Sequence, residues 1–234
     1  MRSADRPVRP HPGPGEAPLG DDERASAVFG VVRAAFQAGL DDQAALRAEF
    51  SFEDVPAPKK LAPFAAATSA SVARDGADIA FGRLVLLYDP VGHDGWPGCY
   101  RLISYVRAEV DEEIAADPML CQVGWDWLIE ALDARTPAYA TPSGTVTRVT
   151  TEGFGGKASE PPVYGFEQRA SWSPVIPAAA PAGSPDDPAD LDLGGHVMAW
   201  CDSLAAAAGL PPLAAGTVAL PSARPDDTRS RRRR

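Results

Sequence analysis

The chain has 234 residues and a formal net charge of −10 at pH 7. Its two ends are basic, with +1 over residues 1–20 and +4 over residues 222–234, which leaves −15 for residues 21–221. An acidic body of this kind repels nucleic acid and anionic lipid, so nucleic acid is expected as a partner only at the arginine-rich tail. No apolar run approaches the ~18 residues of a membrane span, and we therefore expect no membrane association.

The three cysteines are odd in number and form no C-x-x-C pair. The N-terminus lacks the apolar segment of a secretory signal, and thiols stay reduced in the cytoplasm, so the sequence predicts a cytoplasmic protein. The histidines and cysteines lack the spacing of metal ligands, and the glycine-rich stretch at 153–156 matches no nucleotide-binding motif. We expect neither a metal nor another cofactor.

Composition divides the chain into an ordered body and disordered segments. Residues 1–20, a linker at about 174–188 and residues 214–234 are rich in proline, glycine or arginine. Such segments bury too little apolar surface to offset the roughly 1–2 kcal/mol per residue that ordering the backbone costs. The sequence thus predicts a single α+β domain over residues 21–213, with a flexible linker before its last helix.

The first predicted element is a helix over residues 23–38. Asp21 and Asp22 supply acid at its N-terminus, and Gly39 follows as a stop signal. Its proposed apolar face consists of Val28, Val31, Val32, Ala35 and Phe36.

Three strands are predicted next, after a proline-rich crossing at 55–63 that cannot form a central strand. They cover residues 64–73, 79–88 and 100–110, and the last two are rich in branched and aromatic side chains. The loop between those two, at 89–98, contains Gly, Asp and Pro, which favours an antiparallel pair.

The second half begins with a helix predicted over residues 123–135. Strands are predicted at 144–152 and 163–172, followed by a helix over 190–208 that Gly209 ends. The order is α-β-β-β-α-β-β-α, an antiparallel sheet of about five strands with helices packed on it. The proposed apolar stripe of the 123–135 helix consists of Val123, Trp127, Leu128, Ala131 and Leu132.

Candidate binding residues lie on the 123–135 helix and on the later strands. Trp125 falls outside the apolar stripe, so it either packs sideways or forms an exposed contact of the type used at interfaces. Asp126 and Glu130 are four residues apart, which places both carboxylates on one face; a solvated surface is the simpler interpretation. Arg148 and Arg169 belong to a set of strand charges expected to pair across the open sheet face, and Phe154 lies in the loop between their strands.

Several segments together resemble an actinobacterial family known as domain of unknown function 3000. They include GRLVLL at 82–87, VGWDWL at 123–128, SGTVTR at 143–148 and RASW at 169–172, within a resemblance that covers roughly 55–213. The resemblance implies no activity and no catalytic residue. The predicted element order is also similar to that of type III secretion chaperones and their YbjN-like relatives, which bind protein segments and often dimerise.

The favoured function is a non-catalytic protein-binding, adaptor or chaperone-like module, with a protein partner or a second copy as its ligand. An alternative is an enzyme that uses carboxylates and arginines of the sheet face near Phe154 on a small molecule. A further alternative is an RNA-associated accessory protein acting through the arginine-rich tail. No catalytic residue can be named for any of them from the sequence.

Overall fold

The computed structural model describes residues 20–136, 138–175 and 191–213. Within these ranges the chain forms four α-helices, six strands and a short 3₁₀ turn at Gly155–Lys157. The helices are α1 (Asp21–Leu46), α2 (Glu112–Ala116), α3 (Leu120–Arg135) and α4 (Leu193–Ala207). The strands are β1 (Phe50–Asp54), β2 (Phe64–Arg74), β3 (Ala77–Tyr88), β4 (Tyr100–Glu109), β5 (Tyr139–Thr151) and β6 (Val163–Pro174).

All six strands join one antiparallel sheet in the order β1-β2-β3-β4-β6-β5. The strands β1 to β4 follow one another as neighbours. The chain then passes through α2 and α3 and forms the outer strand β5, and β6 returns into the space between β5 and β4. This return leaves β5 at one edge of the sheet and β1 at the other.

Three of the helices pack on one face of the sheet, with α4 between α1 and α3. Trp200 and Leu204 of α4 are fully buried against the central strands. Gly82 on β3 permits this close approach, because a Cβ there would lie 2.7 Å from Trp200 Cζ2 and 2.8 Å from Leu204 Cδ2. The buried side chains of the central strands, such as Leu84 and Leu102, face this helix layer and form the core with it.

The opposite face of the sheet is covered only in part. The proline-rich crossing at 55–63 lies over the part that contains Ala67, Val85 and Leu87, and Trp96 from the loop between β3 and β4 joins it. The remaining surface of this face, toward β6 and β5, carries polar and charged side chains. We call this remaining surface the open face.

The α+β class is confirmed, but the element order contains two more elements than predicted. The short strand β1 was missed, and α2 occupies a segment expected only to turn. The expected stop at Gly39 is wrong, because α1 continues to Leu46 and Gly39 is buried where α1 meets α4. Val31, expected on the apolar face, is 51% exposed.

The stripe predicted for α3 is confirmed at Leu128, Ala131 and Leu132, which are buried, and is wrong at Val123. The helix begins at Leu120, and the face it buries runs through Leu120, Gly124 and Leu128, so Val123 is left exposed. The predicted face of α4 is confirmed, since its five apolar positions are all buried and Gly209 follows with φ of 64°. Those positions are Leu193, Val197, Trp200, Leu204 and Ala208.

The disorder predictions lie almost entirely outside the described residues. This holds for residues 1–19 and 214–234 and for the linker from residue 176 onward. At the start of that linker the prediction is wrong, because β6 extends through Pro174.

Candidate functional site

The outer strand β5 is the longest in the sheet, with 13 residues. It pairs with β6 on one side, and no strand of the described chain pairs with its other side. Most of its residues are exposed. A strand in this position presents a row of unpaired backbone N–H and C=O groups, which is a template for another strand.

The start of β5 is held by a buried arginine. Arg101 on β4 is only 7% exposed. Its Nη1 donates to Thr141 Oγ1 at 2.8 Å, and its Nη2 donates to Ser171 Oγ at 2.7 Å and to Ser143 Oγ at 3.3 Å. Burial lowers the pKa of the Arg101 guanidinium. These contacts fix an irregularity in the edge, because Thr141 has φ of 46° and the β5–β6 register shifts between Ala140 and Ser143.

The helices α2 and α3 flank the helix-side surface of β5. Arg148 Nη1 donates to the Asp117 carbonyl oxygen at 3.2 Å, and Trp125 packs where a Cβ on Gly144 would lie. The Tyr139 hydroxyl donates to Asp133 Oδ1 at 2.6 Å; burial, followed by this hydrogen bond, raises the pKa of Tyr139 to about 12. These contacts hold both helices beside the edge strand.

The flank that these helices provide is strongly acidic. Residues 111–135 contain seven carboxylates and one guanidinium, that of Arg135. The guanidinium is already paired with Asp202 of α4 at 2.7 Å. The carboxylates are Asp111, Glu112, Glu113, Asp117, Asp126, Glu130 and Asp133, of which all but Asp126 are exposed.

The candidate residues on α3 have different surroundings. Trp125 is partly buried and packs against the core, so it packs sideways and does not form an exposed contact. The carboxylate of Asp126 accepts a hydrogen bond from Gln122 Nε2 at 2.9 Å. Glu130 lies beside a cavity between α3 and α4. Asp126 and Glu130 thus have different contacts, and their use as a common acid–base face stays a prediction.

The candidate residues on the strands lie on opposite faces of the sheet. Arg169 is on the open face, where its guanidinium lies over the Tyr105 ring at 5.5 Å. Arg148 reaches α2 on the helix side, so its predicted place on the open face is wrong. The reason is strand alternation, since its neighbour Thr147 is the register partner of Glu167 on the open face. Phe154 is 78% exposed in the loop.

The predicted cross-strand charge pairing on the open face has no ion pair between strands among the described residues. Arg107 lies opposite Glu167 in the register, but the ion pair of Glu167 is with Arg169, two residues along the same strand, at 3.5 Å between Nη2 and Oε2. Burial and a hydrogen bond to Glu167 raise the pKa of Tyr105. Arg101 departs from the prediction, because its guanidinium binds hydroxyl and carbonyl oxygens.

Sequence reasoning missed the two features that define this region, the edge position of β5 and the anchoring role of Arg101. Edge position depends on which strands pair. The one weak sequence signal for the edge position was the run Gly144–Thr151, in which Arg148 is the only charged residue. The hydroxyl-rich stretches T-P-S at 141–143 and S-W-S at 171–173 were the available signal for Arg101.

Three further findings concern cofactors, thiols and membranes. In residues 20–136, 138–175 and 191–213 no group of three or more His, Cys, Asp or Glu side chains is arranged to hold a metal ion. Cys121 and Cys201 are free thiols, and burial raises the pKa of Cys201. No helix in the described part of the chain is long and apolar enough to cross a membrane.

The fold defines an α+β protein with an open six-stranded antiparallel sheet, helices on one face and a long outer strand. A family model described as protein of unknown function (DUF3000) matches residues 32–218. The chain belongs to this family, and the match includes most of α1, which the sequence resemblance had left out. No curated protein and no solved structure matches the chain. The likeness to secretion chaperones stays a prediction.

Proposed function

We propose that this protein is a non-catalytic, cytoplasmic protein-binding module that takes up an extended, basic segment of a partner along β5. The observation that carries the proposal is the long outer strand without a pairing partner among the described residues. Addition of a strand to such an edge is a common mode of peptide recognition, in which the backbone supplies affinity and side chains supply specificity.

The composition of β5 supports strand addition at this edge. Natural edge strands are protected by short length, by proline or by outward charges. From Gly144 to Thr151 the strand has no proline, and its one charged side chain, Arg148, is engaged with carbonyl oxygens of the α2 segment. The opposite edge is protected, because β1 has five residues and ends in Glu53 and Asp54. Strand addition is therefore favoured at β5.

The acidic flank supports a basic partner. An incoming strand beside β5 lies next to the carboxylates of α2 and α3, which attract lysine and arginine and repel acidic segments. The free thiols of Cys121 and Cys201 support the cytoplasmic location, where thiols stay reduced.

The alternative functions have less support. The candidate side chains Arg148, Phe154 and Arg169 lie on different surfaces, whereas catalysis requires converging groups in one cleft. The RNA-associated alternative depends on residues 222–234, which lie outside the described residues, and it stays a prediction.

The proposal is tested with an octapeptide of alternating lysine and threonine, labelled for fluorescence anisotropy. We expect saturable binding with a Kd below about 1 mM that weakens as salt is added. A matched peptide N-methylated at alternate residues keeps every side chain but loses half of its backbone donors, and we expect its binding to be lost. Equal binding of both peptides would show purely electrostatic contact and contradict strand addition.

Charge reversals locate the site. Glu113→Lys and Asp126→Lys, in α2 and α3, are each expected to weaken the lysine peptide about three- to tenfold. The matched control is Glu53→Lys on the opposite edge, which makes the same change in net charge and should leave the affinity unaltered. Sedimentation of the protein alone supplies a further check, because a stable dimer that excludes the peptide would make a second copy the occupant of β5 and reject the proposal.

A further inference from the structure

We propose that the cavity between α3, α4 and residues 210–213 binds a small monocarboxylic acid with an aromatic or aliphatic body. The cavity has a volume of about 490 Å³. This lies within the range of sites for small molecules. It is separate from the β5 edge and does not depend on the proposed function.

The polar anchor of this cavity is Arg47, the residue that follows α1. Arg47 is 4% exposed and lines the cavity. Its Nη2 donates to the Pro211 carbonyl oxygen at 2.9 Å, while its Nε has no hydrogen-bond partner in the described part of the chain. No described carboxylate lies within ion-pair distance of it. A buried guanidinium of this kind is unfavourable unless an anion joins it, and a carboxylate forms charge-assisted hydrogen bonds with guanidinium N–H donors.

Arg101, the other buried arginine in the described residues, is a useful comparison because the protein itself satisfies its hydrogen-bond donors. Arg101 donates from both Nη atoms to hydroxyl groups of Thr141, Ser143, Ser171 and Ser173. Its donors are occupied by the protein itself. Arg47 differs because a neutral carbonyl oxygen is its one partner within the described ranges and a cavity lies beside it.

The remaining walls define the body of the ligand. Trp127, which is half-buried, lines the cavity together with small residues such as Ala131 and Ala205. Apolar walls of this kind favour an aromatic ring or a short alkyl chain.

The other charged groups of the cavity limit the ligand to one negative charge. Arg135 and Asp202 neutralise each other at 2.7 Å, and Glu130 adds a further carboxylate at the wall. A second carboxylate on the ligand would meet Glu130 and be repelled, so a monoacid fits better than a diacid.

The test uses the full chain and four probes, benzoate and octanoate with their neutral amides, in titration calorimetry. We expect saturable binding of at least one acid and at least about tenfold weaker binding of its amide, the effect of losing a charged hydrogen bond. Equal affinities of acid and amide would overturn the role of Arg47. The absence of saturable binding for both acids up to about 10 mM would overturn the site.

Variants assign the contacts. Arg47→Gln keeps a donor for Pro211 but removes the charge, and it should reduce acid binding to the level of the amide while leaving the amide unchanged. Ala206→Phe fills the cavity and should weaken both, and Arg107→Gln on the opposite face should change neither. Unaltered acid affinity in Arg47→Gln would refute the proposal. If that variant does not fold, the acid–amide comparison and Ala206→Phe decide the outcome.

Discussion

Acidification should destabilise this protein through His196, which lies in α4 and is 1% exposed. Trp172 Nε1 donates to His196 Nδ1 at 3.2 Å, so the buried imidazole is neutral and carries its proton on Nε2. Burial lowers the pKa of His196 from 6.5 to about 4, and the charge of Asp192 offsets part of that shift. Protonation of Nδ1 would also remove the acceptor of the Trp172 hydrogen bond.

The direction of this pH effect on stability follows from the different proton uptake of the folded and the unfolded chain. The unfolded chain binds a proton at His196 near pH 6.5, whereas the folded chain does so only near pH 4. The stabilising contribution is therefore present above pH 6.5 and is lost as the pH falls toward 4. Between pH 7 and pH 5 this one group lowers the free energy of unfolding by roughly 2 kcal/mol.

The assay is urea unfolding of the wild type and of His196→Asn at pH 7, 6 and 5. Asparagine supplies an acceptor for Trp172 but does not titrate, so the variant should lose roughly 2 kcal/mol less than the wild type over this range. Carboxylates elsewhere titrate in both proteins and cancel in the comparison. Parallel losses of stability in the two proteins would refute the assignment to His196.

Two further predictions concern packing and the edge strand. Gly82→Ala places a methyl group against Trp200 and should lower the free energy of unfolding, measured in urea, by about 1–3 kcal/mol. The control Gly30→Ala changes an exposed helical position with open space around it, and it should raise the free energy of unfolding by up to about 1 kcal/mol. Arg101→Met removes the anchor of β5, so it should speed amide hydrogen exchange over residues 139–143 and lower the free energy of unfolding by about 1–3 kcal/mol. The exposed control Arg107→Met should change the free energy of unfolding by no more than about 0.5 kcal/mol. Equal exchange rates in the two variants would contradict the anchoring role.

Local sequence patterns predicted the structure correctly where a helix or strand buries a single face against one neighbouring layer. The apolar face of α4 repeats with helical spacing along the sequence, and the predicted strands β3, β4 and β6 contain branched or alternating side chains that a sheet buries. The prediction failed where a local signal was overridden by a contact. Gly39 resembles a helix stop, but its lack of a side chain serves the contact between α1 and α4. β1 was missed because its five residues, FSFED, are too few to establish a period.

The candidate sites could be predicted from the sequence less well than the fold. Trp125 and Glu130 were singled out, and they do lie beside β5 and beside the cavity, but neither the edge position of β5 nor the cavity was predicted. The groups that organise these places are Arg101, whose only sequence signal is two hydroxyl-rich stretches far along the chain, and Arg47, which resembles an ordinary surface charge in the sequence. The burial of one arginine cannot be recognised from its neighbours in the chain, because the surface that covers it comes from elsewhere.

The sequence by itself determined the α+β class, the acidic body and the family, because these depend on composition, on short periods and on contiguous segments. Only the tertiary structure decided that β6 lies between β4 and β5 in the sheet. It also decided that Arg47 donates a hydrogen bond to the carbonyl group of Pro211, 164 residues away. Strand order and buried charge depend on pairings between distant segments, whose free energy includes loop closure and desolvation and leaves no period in the sequence.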